Sequence, residues 1–439
     1  MTKSILPFLV LVVVSILGLI YSGVPGTIVT EGINTGDVAW MLAATALVLI
    51  MTPGLALFYG GMVNAKNVIS TMLQSFVCMG VISVLWVVIG FSIAFGDTIG
   101  GFVGNPMTFF MFKNVLDGKP WSLAPTIPLV LFAFFQLKFA VITPALITGS
   151  FSERIKFTSY VLFVCLFSLF IYAPIAHWTW HPEGFLFKLG VLDFAGGTVV
   201  HISAGCAALA AALYLGKRKG DGTHAPANIP FVLLGTGLLW FGWFGFNAGS
   251  AVGAGTLAAS AFATTNTAAA AAGLSWMFFD SMRGKKPTAM GFCIGAVVGL
   301  VAITPAAGFV TIPVSVFIGT VAAIISNLVV SWRAKSELDD TLDVFPCHGV
   351  GGIVGMLMTG IFAHVAVNAA NTTGNGLFYG ETKLFVTHLI ALGIVVAFSF
   401  CGSYVLLMIS NAISPLRVTE EEEKIGLDLS QHEEVVLNA

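Results

Sequence analysis

Apolar residues in this chain do not alternate with polar ones at a strand or surface-helix period; they run in long unbroken blocks. Each block reaches the roughly 20 residues that a helix needs to cross a bilayer. Pro, Gly and charged residues punctuate the blocks and mark eleven spans, at residues 37–61, 68–95, 125–151, 157–178, 194–215, 229–249, 255–281, 288–304, 310–332, 345–363 and 384–412. Backbone that crosses hydrocarbon must satisfy its own hydrogen bonds, so the pattern predicts an all-α membrane protein. Ahead of the first span, Lys3 and the apolar stretch from Ile5 to Ile20 have the shape of a signal peptide, residues 1–23, cleaved near Ser22 or Gly23. Residues 24–413 then form the membrane domain and 414–439 a tail. Left uncleaved, the leader is an extra N-terminal helix.

Charge orients these spans. Lys66, Arg154, Lys156, Lys217, Arg218, Lys219, Arg283, Lys285, Lys286, Arg333, Lys335, Arg417 and Lys424 fall in connections on one side, thirteen of the nineteen basic residues. Cytoplasmic loops carry such an excess, which puts the mature N-terminus outside and the C-terminal tail inside. Lys138 alone lies mid-span, where a charge costs at least about 2.5–3.5 kcal/mol on insertion scales.

Composition removes the alternatives. With 57% hydrophobic and only 9% charged residues a water-soluble fold is excluded, and a net charge of −2 with no basic stripe excludes a nucleic-acid surface. The six cysteines fall in or beside apolar blocks without a CxxC pair, and read as small buried hydrophobes.

An inverted repeat is written in two places. Asp193 precedes His201 in the fifth span and Asp343 precedes His348 in the tenth, each an Asp and a His at a helix start. Two inverted five-helix halves plus a last helix would place a site at their interface. Glycines surround both histidines (Gly196, Gly197, Gly205; Gly349, Gly351, Gly352, Gly355), so two imidazoles can lie edge to edge, one N–H donating to the other ring. The plain alternative is a pair of helix-packing hydrogen bonders. No carboxylate or thiolate completes a metal-ligand set around both rings, and the reading calls for no cofactor.

Aromatic residues cluster at Phe134-Phe135-Gln136-Leu137-Lys138-Phe139, at His177-Trp178-Thr179-Trp180, and from Trp240 through Trp243 and Phe246 to Ser250. Phe135 and Phe139 share a helix face, as do Trp243, Phe246 and Ser250. Ring faces attract a small cation and a hydroxyl accepts its N–H, although membrane-edge tryptophans also serve as plain interfacial anchors.

The strings DFAGGTVVH, GWFGFNAGS, FQ-x-x-FA, SERI, DVFPCHGVGGIVG and MTGIFA occur in this order, and from about Asp37 to the tail the chain resembles the ammonium transporter (Amt/Mep/Rh) family. The resemblance implies that Trp180, Phe139 and Ser250 recruit ammonium at the outer mouth, with Phe135 and Trp243 nearby. Phe139 and Phe246 would close the path beneath. His201 and His348 look like the twin histidines of the pore below. Asp193 would organise the recruiting site, a helix-capping carboxylate being its plain reading, and Thr304 matches an outer vestibule position. The resemblance also implies a homotrimer in the cell (inner) membrane and a PII-type signalling protein docking at the cytoplasmic face.

Lys138 departs from the pattern, standing where family members usually carry a small or hydroxyl residue. About 100 degrees around the helix from Phe139, it either faces a neighbouring helix or perturbs the gate. The function expected is ammonium transport; the alternative is a receptor of the same fold that binds ammonium, conducts poorly and signals through its cytoplasmic side. No nucleophile, base and acid set points to an enzyme.

Overall fold

The computed structural model describes residues 2–21, 26–219 and 225–436. Helix α1 is Thr2–Tyr21, α2 Thr35–Met62, α3 Ala65–Phe95 and α4 Leu129–Phe151. Helix α5 runs through Phe157–Phe167, Ser168–Tyr172 and Ala173–Trp180, and is followed by the short α6, Phe185–Leu189. Then come α7 Gly197–Leu215, α8 Ile229–Gly249, α9 Thr256–Met282, α10 Ala289–Ile303, α11 Ile312–Arg333, α12 Phe345–Phe362 and α13 Lys383–Ile413. Two small helices, α14 Glu420–Ile425 and α15 Leu427–His432, form the tail. Among the described residues nine helices are long and apolar enough to cross a membrane. Of the remaining predicted spans, α9 is a helix rich in Ala and Thr, and α10 is apolar but only 15 residues long. The chain is therefore an all-α, multi-pass membrane protein. The expected cleavage point near Ser22 and Gly23 lies outside the described residues.

Local chemistry sets the helix starts. The Asn34 side chain accepts the Asp37 N–H ahead of α2, Asn228 accepts that of Phe231 ahead of α8, and Thr288 accepts that of Gly291 ahead of α10. Among the described residues four segments widen into π-turns: Trp86–Gly90 in α3, Ser168–Tyr172 in α5, Gly197–Ile202 opening α7 and Phe345–Val350 opening α12. Such turns re-aim side chains and concentrate at functional positions, and the last two carry His201 and His348.

Helices α4 and α7 are the most enclosed spans, α8 lies along α2, and α9 packs between α10 and α11. At one end the tail folds back over the helix ends. Arg417 bridges to Ile155, and the Asp428 carboxylate accepts the Ile69 and Ser70 N–H groups of the first turns of α3 at 3.0 and 2.7 Å. The connections at this end are tied by Arg218, whose guanidinium forks onto Asp339 at 2.8 and 2.9 Å and reaches Glu153 at 2.8 Å. The fully buried Arg154 adds a 2.6 Å bond to Thr341. The opposite end is covered by segment 96–128, which holds a small hairpin of Thr98–Ile99 and Val103–Gly104. Cys78, Cys206, Cys293 and Cys347 are buried as expected, but Cys165 is only partly so and Cys401 is exposed on α13. An exposed thiol on an apolar span faces lipid as readily as a methyl group would.

Candidate functional site

A cavity of about 310 Å³ opens at the end away from the tail. Its walls include Phe135, Gln136, Phe139, Thr179, Trp180, Asp193 and Ser250, which brings together residues from α4, α5, α8 and the approach to α7. The Trp180 ring stands edge-on to Phe139 at 5.7 Å, and Phe135 stands edge-on to the same ring at 5.0 Å. The Ser250 hydroxyl donates to the Phe246 carbonyl at 2.8 Å. With its proton committed, that oxygen offers the cavity lone pairs only, so it is an acceptor for a cationic N–H.

Asp193 lines the same cavity, yet its carboxylate is fully engaged. One oxygen takes the Gly196 and Gly197 N–H groups at 2.8 and 2.6 Å, and the other takes the Thr198 N–H at 2.8 Å together with the Thr198 hydroxyl. These are orphan donors at the start of α7, and the negative charge also suits the positive end of the helix. Gly196 makes the wrap possible with φ +120°, a conformation that a side chain opposes. The Trp180 indole N–H is held by the Asp193 carbonyl at 3.0 Å, so one residue fixes both the helix start and the cavity's largest ring.

Beneath the cavity Phe139 and Phe246 lie against each other, centroids 4.2 Å apart, and close it. His201 follows, with its ring 6.1 Å from Phe246 and 5.4 Å from Trp243. The two imidazoles lie at 27° with Nδ1 facing Nδ1 at 3.3 Å, so one nitrogen donates and the other accepts. His201 Nε2 is buried without a protein partner. The approach is set by backbone: a Cβ on Gly205 would fall 2.1 Å from the Gly349 nitrogen, so the helices carrying the two histidines touch where neither has a side chain. On the tail side of His348 a pocket of about 10 Å³ is lined by Phe58, Tyr59, Leu342 and Cys347. That is about the smallest space that holds one water-sized solute. Cavity, ring pair, imidazole pair and pocket thus form a series through the helices.

Three expectations change. Trp243 and Thr304 do not line the cavity. The Trp243 indole N–H donates to the Thr304 hydroxyl at 2.9 Å, and that hydroxyl donates to the Leu300 carbonyl at 2.8 Å, so the pair holds a ring flat beside His201 below the gate. Asp343, matched in sequence to Asp193, caps nothing comparable; it turns to Arg333 at 2.7 Å. The carboxylate that accepts the Phe345 N–H at the start of α12 is Asp340, at 2.7 Å. Burial pushes the Asp340 carboxyl above its ordinary range while the Phe345 and Val344 N–H groups work the other way. Its spacing from His348 is eight residues, as Asp193 is from His201, a signal present in the sequence but masked by the nearer aspartate. Lys138, finally, points away from the cavity into a groove with Ser83, Val84, Val87, Phe134 and Val14, its ammonium 5.8 Å from the Phe134 ring centre. Of its two readings, the structure favours the peripheral one.

A sequence profile described as the Ammonium Transporter Family matches residues 39–437. An ammonium transporter of Aquifex aeolicus is 47% identical over 408 residues, covering 92% of this chain and 94% of that protein. Among solved structures, Mep2 of Saccharomyces cerevisiae superposes with a TM-score of 0.83 at 38% identity, over 89% of each chain. A structure titled Sensor Amt Protein superposes at 0.81 with 30% identity, over 90% of this chain and 98% of that one. A profile that spans nearly the whole chain and relatives matched end to end, with the two histidines face to face beneath paired phenylalanines, make this protein a member of the ammonium transporter (Amt/Mep/Rh) family.

Proposed function

We propose that the chain recruits ammonium in the 310 Å³ cavity and passes ammonia or ammonium between Phe139 and Phe246 and along His201 and His348 into the cytoplasm. The observation that carries this is the imidazole pair at 3.3 Å, sealed from the cavity by two rings and from water by burial. Trp180 and Phe139 hold the cation by their ring faces and Ser250 by its lone pairs, replacing part of its hydration shell. Carrying a bare ion through the apolar section is prohibitive, whereas neutral ammonia crosses readily, so stripping water or a proton is the selective step. Potassium has no proton to give and no directional N–H to offer Ser250. Below the gate the imidazole pair supplies one donor and one acceptor to the passing solute.

The remaining architecture follows the same reading. Nine apolar spans with α9 and α10 make eleven. The matched spacings of Asp193 to His201 and Asp340 to His348, each entering a π-turn, support two inverted five-helix halves plus α13. The basic connections lie at the tail end, which supports an outer cavity and a cytoplasmic tail, with the N-terminus of the membrane domain outside. Residues 1–23 are read as a signal peptide, and the membrane domain and tail as 24–413 and 414–439. The homotrimer and the PII-type partner rest on family membership.

Ammonium pulses on proteoliposomes, recorded as current and as internal pH, test the reading. Wild type is expected to respond saturably, and Lys138→Thr to respond like it, because Lys138 lies outside the path. If neither protein moves charge or ammonia, transport is wrong; if only the substituted chain conducts, the receptor alternative gains.

A further inference from the structure

The outer end of α5 carries a second pair of histidines. His177, in the last turn of the helix, and His181, the extended residue that ends it, stack with centroids 4.3 Å apart at 20°. The hydrogen bonds assign their tautomers. His177 Nδ1 lies 3.0 Å from the Ala94 carbonyl, which only accepts, so Nδ1 carries the proton. Its Nε2 then accepts from the Thr98 hydroxyl at 2.9 Å, the oxygen of which receives the Gly101 N–H at 3.1 Å. Both nitrogens of His177 are engaged in the neutral form. His181 Nδ1 accepts the Glu183 N–H at 3.0 Å, so its proton sits on Nε2. The charged and titratable groups that face His181 are Asp97, Glu183, Lys188 and His177, and Lys188 already holds Glu183 at 2.7 Å.

His181 backs the wall of the recruiting cavity through two of its lining residues, Trp121 and Trp180. Its ring meets Trp121 edge-on at 5.2 Å, Trp121 stacks on Phe132 at 11°, and both lie in the cavity wall. Along the chain it adjoins Trp180, whose indole is anchored on Asp193. A second proton has one place to go, Nδ1, and there it expels the Glu183 N–H, leaving the turn after Trp180 held by the Gly184 N–H on the His181 carbonyl at 2.8 Å. It also sets a fixed cation against a wall of the cavity that receives ammonium.

We propose that His181 is a positioning residue that makes ammonium recruitment depend on outer pH: neutral, it braces Trp121 and accepts the Glu183 N–H in the turn after Trp180; protonated, it gives up that bond and repels the arriving cation. This rests on the reading of the cavity as the ammonium site. Burial beside Trp121 pushes the His181 imidazole below its ordinary value, with Glu183 and Asp97 opposing, so its protonated form is reached on the acid side of about 6.5, where ammonium itself stays protonated and supply of the substrate does not change.

The test is the KM for ammonium of the full chain in proteoliposomes, measured from an outer pH of about 7.5 down to about 4.5, the acid side that burial of His181 selects. Wild type is expected to show KM rising about twofold toward the acid end, the size of one unit-charge repulsion across roughly 10 Å of water-like medium, with the maximal rate changing less. His181→Gln, which carries no titratable ring, is expected to flatten the KM profile. His181→Arg, permanently charged, is expected to flatten it at the high value. An equal slope in wild type and His181→Gln, or no slope in wild type, overturns the inference. Absence of saturable ammonium response from wild type at every pH would instead overturn the transport reading.

Discussion

Single side chains divide the work of the path by what each has left to offer. Ser250 has spent its proton on the Phe246 carbonyl and keeps acceptor capacity toward the cavity. Ser250→Ala is therefore expected to raise KM for ammonium roughly tenfold, the lower end of a hydrogen bond to a charged group, with the maximal rate nearly unchanged. Concentration-dependent currents measure the split, and an unchanged KM would remove Ser250 from recruitment. Asp193 has nothing left, since four donors occupy it, and its place in the cavity wall is that of a brace. Helical spacing alone pairs Phe135 with Phe139 and Phe246 with Ser250; it is the family resemblance carried by the motifs that puts Trp180, Phe139, Phe135 and Ser250 in one neighbourhood. They could not show that Trp243 and Thr304 sit one layer deeper. That depends on the depth at which α8 and α10 cross, which spacing along a helix does not encode. Lys138 was ambiguous for a related reason: 100 degrees of helical rotation separates it from Phe139, but which neighbour fills that direction is a property of the packing.

Helices meet here through their bare backbones, and the crossing of α7 with α12 decides how near the histidines come. A methyl group at Gly205 would already lie 2.1 Å from Gly349, so Gly205→Val must push the helices apart. We expect a cost of about 1–3 kcal/mol, typical of overpacking, and loss of ammonium flux as the imidazoles separate. Thermal unfolding in detergent and flux in liposomes would both move; flux retained at a normal rate would show that the pair need not touch. At the tail end the connections are locked by charge. Burial raises the Asp339 carboxyl, but the Arg218 fork and the Arg154 charge outweigh it and hold it down to about 2. Because its folded value lies below the ordinary one, Asp339 stabilises the fold fully above the usual carboxylate range near about 3.9, and this is lost as pH falls through it toward about 2. Unfolding followed against pH should therefore show an acid limb that is shallower in Asp339→Asn. An identical limb would assign acid sensitivity elsewhere. Span positions were legible from apolar blocks to within a few residues; the π-turns were not, because a widened turn leaves composition unchanged.

Over the whole molecule, two aspartates stand eight residues ahead of two histidines, each at the mouth of a π-turn, which is the observation behind the proposed pair of inverted halves. The sequence comparison chose Asp343, and the structure chose Asp340, because capping depends on where the chain turns. The tail lays Asp428 on the first turns of α3 and Arg417 beside Ile155, so residues 417–428 are tied to the early helices. One further consequence belongs to this scale. The Phe139 and Phe246 rings meet at 4.2 Å and leave no standing aperture. A solute passes only when the rings part, and the expectation is a temperature coefficient of flux above that of diffusion in water. A bilayer crowded with such proteins stays electrically tight, and a cell can keep many copies at rest without dissipating the ion gradients on which the rest of its metabolism runs.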